Sequence, residues 1–204
     1  MTAAPMLRAA GRAALAVLPA LAACDRLRPV AFHGAALEPP GPAPALRLPV
    51  AAAAPRDTFD LARATADSGR AALVFFGYTH CPDVCPTTLH DWVRVKRALG
   101  ADSTRVRFLF VTVDPERDTA PAVARYVAAI DSGFVGLAGT RAEVDAVQRA
   151  WGIGAFREGG DDSTYTVAHP AQVFAVDPAG RLRLTYSLGA RPDHVADDLR
   201  RLLR

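Results

Sequence analysis

Cys81 and Cys85 are the residues with the clearest chemical potential. They lie in the segment Phe75-Phe76-Gly77-Tyr78-Thr79-His80-Cys81-Pro82-Asp83-Val84-Cys85-Pro86. An apolar run, Leu73-Val74-Phe75-Phe76, precedes them and a helical pattern follows. Residues i and i+4 of a helical turn share a face, so both sulfurs can point one way. A helix start offers unpaired N–H groups and a partial positive charge, which predicts lowered thiol pKa values at both positions. Such a pair can hold a soft metal, cycle as a disulfide, or form an inert bridge. A bridge across so short a loop removes little unfolded-state entropy. A structural zinc site asks for four protein ligands. Two thiolates with one imidazole suit copper instead, with Cu(I) preferring the sulfurs. For the imidazole, the spacing alone does not choose between His80, His90, His169 and His194.

The elements around this pair read as alternating strands and helices. Leu73 to Phe76 predicts a buried strand, and Pro86 to Leu99 a helix stopped at Gly100. Val106 to Val113 is mostly apolar, as a central parallel strand is. Ala120 to Ile130 has the helical period, with Val123, Val127 and Ile130 on one face. Thr140-Arg141-Ala142-Glu143 is a capping box that opens a helix running to Trp151. Val173 to Val176 and Leu182 to Tyr186 predict a strand pair around Asp177-Pro178-Ala179-Gly180. Pro192 to Leu203 reads as a final amphipathic helix. The expected fold is an α/β sandwich with a mixed central sheet flanked by helices. Trp92 and Trp151 are expected in the core, and His90 and His194 on helix surfaces.

The chain has 204 residues, 24 basic and 21 acidic. Arg8 and Arg12 are unopposed in residues 1–23, and residues 24–56 carry Arg26, Arg28, Arg47 and Arg56 against Asp25 and Glu38. The rest is nearly neutral, which argues against a nucleic-acid partner. Residues 1–23 read as an export signal: a charged start, a short apolar stretch from Ala13 to Ala20, then Leu21-Ala22-Ala23-Cys24. The stretch is too short to span a bilayer. The ending resembles a bacterial lipobox, with Cys24 the lipidated first residue of the mature chain. Residues 24–56, with seven of the sixteen prolines, read as a tether without strand or helix. His33 in it has no assigned role. Residues 57–204 are the domain. The expected location is the cell envelope, on the periplasmic face of the inner membrane.

Gly77 to Pro86, reading G-Y-T-H-C-P-D-V-C-P, resembles the signature of the Sco/SenC family of copper-binding proteins. Val113-Asp114-Pro115-Glu116-Arg117-Asp118-Thr119 resembles its second motif. Tyr165-Thr166-Val167-Ala168-His169, followed by Val176-Asp177-Pro178-Ala179-Gly180, resembles its histidine segment. The similarity runs from about Phe59 to Leu203. It implies a thioredoxin-like fold, and copper held by Cys81, Cys85 and His169. It also implies a part in building the copper-A centre of cytochrome c oxidase, with the subunit carrying that centre as partner. The family pattern has Asp before this histidine and Ser after it, where this chain has Ala168 and Pro170. An aspartate there orients the imidazole. Pro170 is also where thioredoxin-like oxidoreductases place a proline opposite their cysteines.

Further candidates are His80 as a tuning group or spare ligand and Asp83 at the helix start. Asp114 and Asp118 are outer groups around the metal or organisers of the loop after a strand, the second role being favoured. Two functions fit. One is a membrane-tethered copper chaperone that delivers Cu(I) or Cu(II) by ligand exchange. The other is a thiol–disulfide oxidoreductase that reduces the oxidase subunit's copper-site cysteines, with Cys81 as nucleophile and Cys85 as resolving thiol.

Overall fold

Strand β4 (Ala71–Gly77) has every residue buried, which requires cover on both faces. That cover comes from helices packed on a central sheet. The computed structural model describes residues 31–51 and 57–204, and Phe32–Arg204 forms one compact unit. In chain order, β1 (Ala35–Pro42), β2 (Arg47–Pro49), β3 (Thr58–Asp60) and α1 (Leu61–Ala66) precede β4. Then follow α2 (Val84–Leu99), β5 (Val106–Thr112), α3 (Ala120–Ile130), β6 (Phe134–Leu137) and α4 (Arg141–Trp151). The chain ends with β7 (Phe156–Glu158), β8 (Thr166–Ala168), β9 (Val173–Val176), β10 (Arg181–Tyr186) and α5 (Pro192–Leu202). The main sheet has the order β1-β10-β9-β4-β5-β6. β4, β5 and β6 are parallel, and β9, β10 and β1 add antiparallel neighbours. This is the mixed α/β, thioredoxin-like sandwich expected from the sequence.

The helices form where the pattern places them. Thr140 accepts from the Glu143 N–H while Glu143 accepts from the Thr140 N–H, completing the capping box of α4. Thr119 caps α3 through the Ala122 N–H. Trp92 and Trp151 are buried, and their rings pack on Phe75, Phe108 and Phe134, and on Phe76 and Phe174.

The stretch 24–56, expected as a tether without strand or helix, contains two strands. β1 forms the sheet edge against β10, β2 pairs with β3, and Val50 bridges to Leu137. Leu46 and Leu48 are 2% and 0% exposed, so this stretch belongs to the core. Proline density is compatible with this because an edge strand has one side free of ladder bonds. The pairing is interrupted between Ala36 and Gly41, where Pro39 and Pro40 fall.

His33 is likewise not a free tether residue. The buried Asp198 carboxylate of α5 accepts from the His33 and Gly34 N–H groups at 3.0 and 2.9 Å, and from the Tyr186 hydroxyl at 3.2 Å. The His33 ring stacks on His194 with centroids 4.0 Å apart, so His194 is half-buried and not a solvated surface residue.

The β9–β10 turn is held by Asp177, which accepts from the Ala179 and Arg181 N–H groups and from the Arg181 and Arg183 guanidiniums. Burial works against the charged carboxylate, but these donors outweigh it and hold Asp177 below the usual carboxylate range.

Two outcomes are expected. Asp198→Ala leaves two backbone N–H groups and one hydroxyl without their acceptor, which costs about 2–4 kcal/mol in urea unfolding. A loss below about 1 kcal/mol would show that the clamp is not coupled to the fold. Asp177 titrates lower in the folded than in the unfolded chain, so it adds stability above its unfolded pKa near 3.8. That stability is lost as pH falls through the folded value. Unfolding free energy measured against pH should therefore fall less steeply on acidification in Asp177→Asn.

Candidate metal centre

The cysteine loop is placed by the C-terminal edge of the parallel strands. β4 ends at Gly77, whose carbonyl accepts from the Val113 N–H beyond β5 at 2.8 Å. The chain then turns through Tyr78 to Asp83 and enters α2 at Val84. Gly77 is required by space: a Cβ there would stand 2.8 Å from Cys85 Sγ and 2.8 Å from the Phe110 ring. Cys81 is half-buried and Cys85 is 0% exposed, and both are free thiols. The Cys85 N–H, one of the unpaired donors at the start of α2, points at Cys81 Sγ at 3.4 Å.

His169 follows β8 and reaches the same loop. Its Nε2 lies 3.9 Å from Cys85 Sγ, and its ring packs edge-on against Phe75 and Tyr78. Nδ1 lies 3.0 Å from the Pro170 carbonyl oxygen. A carbonyl only accepts, so that contact puts the proton on Nδ1 and leaves the Nε2 lone pair facing Cys85. Burial lowers the pKa of His169, which favours the neutral ring that can coordinate.

The electrostatics of Cys85 correct the sequence expectation. Burial drives its thiol pKa upward, the Tyr78 N–H pulling it back and the Cys81 charge adding to the rise. The helix-start field, expected to lower it, is outweighed by the loss of solvent around a fully buried sulfur. The His169–Pro170 bond is trans.

Two carboxylates of the loop after β5 hold the site together. Asp118 is 2% exposed. It accepts from the Thr79 N–H and hydroxyl, the latter at 2.6 Å, and from the Thr112 hydroxyl at 2.7 Å. Burial raises its pKa, against those hydrogen bonds. Asp114 accepts from the Tyr165 hydroxyl and from Arg117 Nε, each at 2.6 Å. Arg117 in turn donates to the Tyr165 carbonyl at 2.8 Å and stacks on the Tyr165 ring at 3.4 Å, with Arg157 over the same ring at 3.8 Å. Asp118 thus fixes the cysteine loop and Asp114 the segment leading to His169. Both carboxylates are taken up by these hydrogen bonds within and around the loop after β5.

The remaining candidates lie further out. His80 is half-exposed, with Nδ1 3.1 Å from the Thr79 hydroxyl and 3.7 Å from Asp118. Asp83 is exposed and makes no side-chain cap; it accepts from the Thr87 hydroxyl at 3.3 Å. His90 is exposed on α2. Cys24 lies outside the described residues. Sequence reading passed over Tyr165 and Arg117 as individual residues. Their signal is a buried-type aromatic and an arginine inside two separate motifs that only the fold joins.

The donor set suits a soft cation. With bonds of about 2.0–2.3 Å to nitrogen and sulfur, a trigonal ion holds its donors roughly 3.7 Å apart. Cys85 and His169 already stand at that separation. Cys81 does not yet join them, because the three donor atoms are not all within 4.8 Å of one another. Among the described residues a closer grouping is His33, Asp197 and Asp198. There Asp198 is taken up by the N–H and hydroxyl donors of the N-terminal clamp, and Asp197 meets Arg201 at 2.6 Å.

Placing Ala in the space of Gly77 should overpack the site by about 1–3 kcal/mol. Gly77→Ala is therefore expected to lower Tm and to slow thiol modification of Cys85 less than it weakens soft-metal binding. Unchanged metal affinity would show that Cys85 Sγ can move away freely.

The SCO1/SenC family model matches residues 59–204. The bovine (Bos taurus) "Protein SCO2 homolog, mitochondrial" is 37% identical over 138 residues, covering 65% of this chain and 51% of the relative. The human (Homo sapiens) "Protein SCO1 homolog, mitochondrial" is 36% identical over 133 residues, covering 63% and 44%. The chain thus spans about half the length of these relatives. Copper-bound ScoI of Bradyrhizobium japonicum superposes with a TM-score of 0.70 at 33% identity, covering 79% of this chain and 99% of the other. Apo Sco1 of Thermus thermophilus gives 0.73 at 34%, covering 84% and 97%. With the matched segment spanning most of the chain and the three motifs converging on one strand edge, the protein belongs to the SCO1/SenC family.

Proposed function

We propose that this chain is a membrane-tethered copper carrier that loads the copper-A subunit of cytochrome c oxidase. The carrying observation is the approach of His169 Nε2 to Cys85 Sγ at 3.9 Å, with the imidazole tautomer set by the Pro170 carbonyl. Cys81, Cys85 and His169 hold the ion, and copper is cargo here, not a resident catalyst. Thiolates favour Cu(I), and the imidazole extends the site to Cu(II). Burial of Cys85 and His169 supports retention, and half-exposed Cys81 offers the place where an acceptor's own cysteine or histidine can begin ligand exchange. Cys24 carries the lipid that keeps the domain at the periplasmic face of the inner membrane.

The thiol–disulfide reading uses the same sulfurs. It is weaker because burial raises the pKa of Cys85.

An anaerobic copper titration of reduced residues 32–204 separates the two. We expect one tight Cu(I) equivalent, read by competition with a chromophoric chelator, and a thiolate-to-copper absorption band with Cu(II). His169→Ala should abolish the Cu(II) band and leave disulfide exchange nearly intact, and Cys81→Ser should lose both. Absence of stoichiometric copper in either oxidation state would overturn the carrier and leave the oxidoreductase.

A further inference from the structure

Arginines gather at the end of the domain opposite the thiols. β4 and β5 run parallel, so Gly77 and Thr112 mark the metal end while Arg70 and Arg107 mark the other. The C-terminal ends of α2 and α5 meet them there: Arg105 donates to the Leu203 carbonyl at 2.7 Å, and Arg200 to that of Ala98. Part of this charge is matched, Arg105 by Asp102, Arg181 and Arg183 by Asp177, and Arg201 by Asp197. Arg70, Arg97, Arg107 and Arg204 have no carboxylate partner among the described residues. Arg107 is a sharper case, since its Nε is buried without an acceptor and the like charge of Arg70 bears on it. Helix C-termini attract cations and account for Arg97 and Arg200, but not for Arg70 and Arg107 at strand starts. At the metal end the balance reverses: the Asp83, Glu158 and Asp161 carboxylates have no cationic partner among the described residues.

The position of Phe32, where the compact unit begins, gives this asymmetry a direction. Phe32 lines the same surface hollow as Arg105, Arg181, Arg183 and Arg204, with Arg183 5.7 Å from its ring. Only eight residue steps separate Phe32 from Cys24. Fully extended, they reach about 26–29 Å. A domain of this size is roughly 40 Å across. A lipid on Cys24 would therefore hold the arginine-lined side toward the bilayer.

We propose that the arginine end is a docking surface for an anionic phospholipid bilayer, which turns the Cys81–Cys85–His169 end away from the membrane. The orientation rests on the reading that Cys24 is lipidated, while the surface itself does not. Phosphate headgroups supply acceptors for the unpaired guanidiniums, and each arginine near an anionic surface is worth about a fivefold change in partitioning. The attraction is screened beyond about 10 Å at 0.1 M salt.

The test uses residues 32–204, one compact unit holding the described core. The domain is sedimented with phosphatidylcholine vesicles and with vesicles that also contain phosphatidylglycerol. Binding to the anionic vesicles alone, lost at high salt, is expected. Arg70→Ala, Arg107→Ala and Arg204→Ala combined should lower that binding about a hundredfold. Circular dichroism and thiol titration check that the variant is folded, and the salt arm needs no variant. Equal binding to both vesicles, binding to neither, an unaffected triple variant, displacement by inorganic phosphate at low concentration, or preference for a DNA oligomer over vesicles would each overturn the proposal. The mass of the mature chain reads Cys24 acylation separately, so an unmodified Cys24 sinks the orientation while the vesicle result still decides the surface.

Discussion

The buried carboxylate of Asp118 holds the cysteine loop of this domain in register. It receives hydrogen bonds from the loop after β4 and from the last residue of β5. The Thr112 hydroxyl is buried and has no water in reach to replace it. Removing the carboxylate would leave that donor unmatched and free the half-buried Thr79 turn, a larger cost than any one of the bonds it makes. Asp114, four residues earlier, does the same for the Tyr165 segment. Two acids of one loop therefore set the distance between the cysteine loop and the histidine. Preorganisation of this kind holds Cys85 and His169 close to each other before anything binds.

Much of this was legible in the sequence. Apolar runs, a capping box and proline-marked helix starts located β4, α2, β5, α3, α4, β9, β10 and α5. The two cysteines announced themselves by spacing and by their place between strand and helix. Three features were not legible, each for a physical reason. The residues of β1 and β2 look like a tether because edge strands tolerate proline, and the partner of β1 is far along the chain. Helix-start logic predicted an acidified Cys85, but the sulfur is buried, and burial is a property of tertiary packing. The choice of His169 among several histidines depended on family resemblance, because the register that brings β8 to the cysteine loop has no local signal.

The departures at Ala168 and Pro170 have a local answer. An aspartate before the histidine would orient the ring through a side chain. Here the Pro170 carbonyl takes the Nδ1 proton, so the following peptide does the orienting. A backbone acceptor has no charge, and it raises the basicity of the imidazole less than a carboxylate would. The ring is also wedged between Phe75 and Tyr78, which limits its rotation by packing. Positioning is retained while electronic tuning is reduced.

The pairing of β1 with β10, and of His33 with Asp198 across 165 positions, ties the first described strand to the last strand and helix. Contacts of such long sequence separation form late, because their loop closure has to be met before they return any stability. During synthesis β1 cannot complete its pairing until β10 and α5 have emerged, so this edge of the sheet closes last.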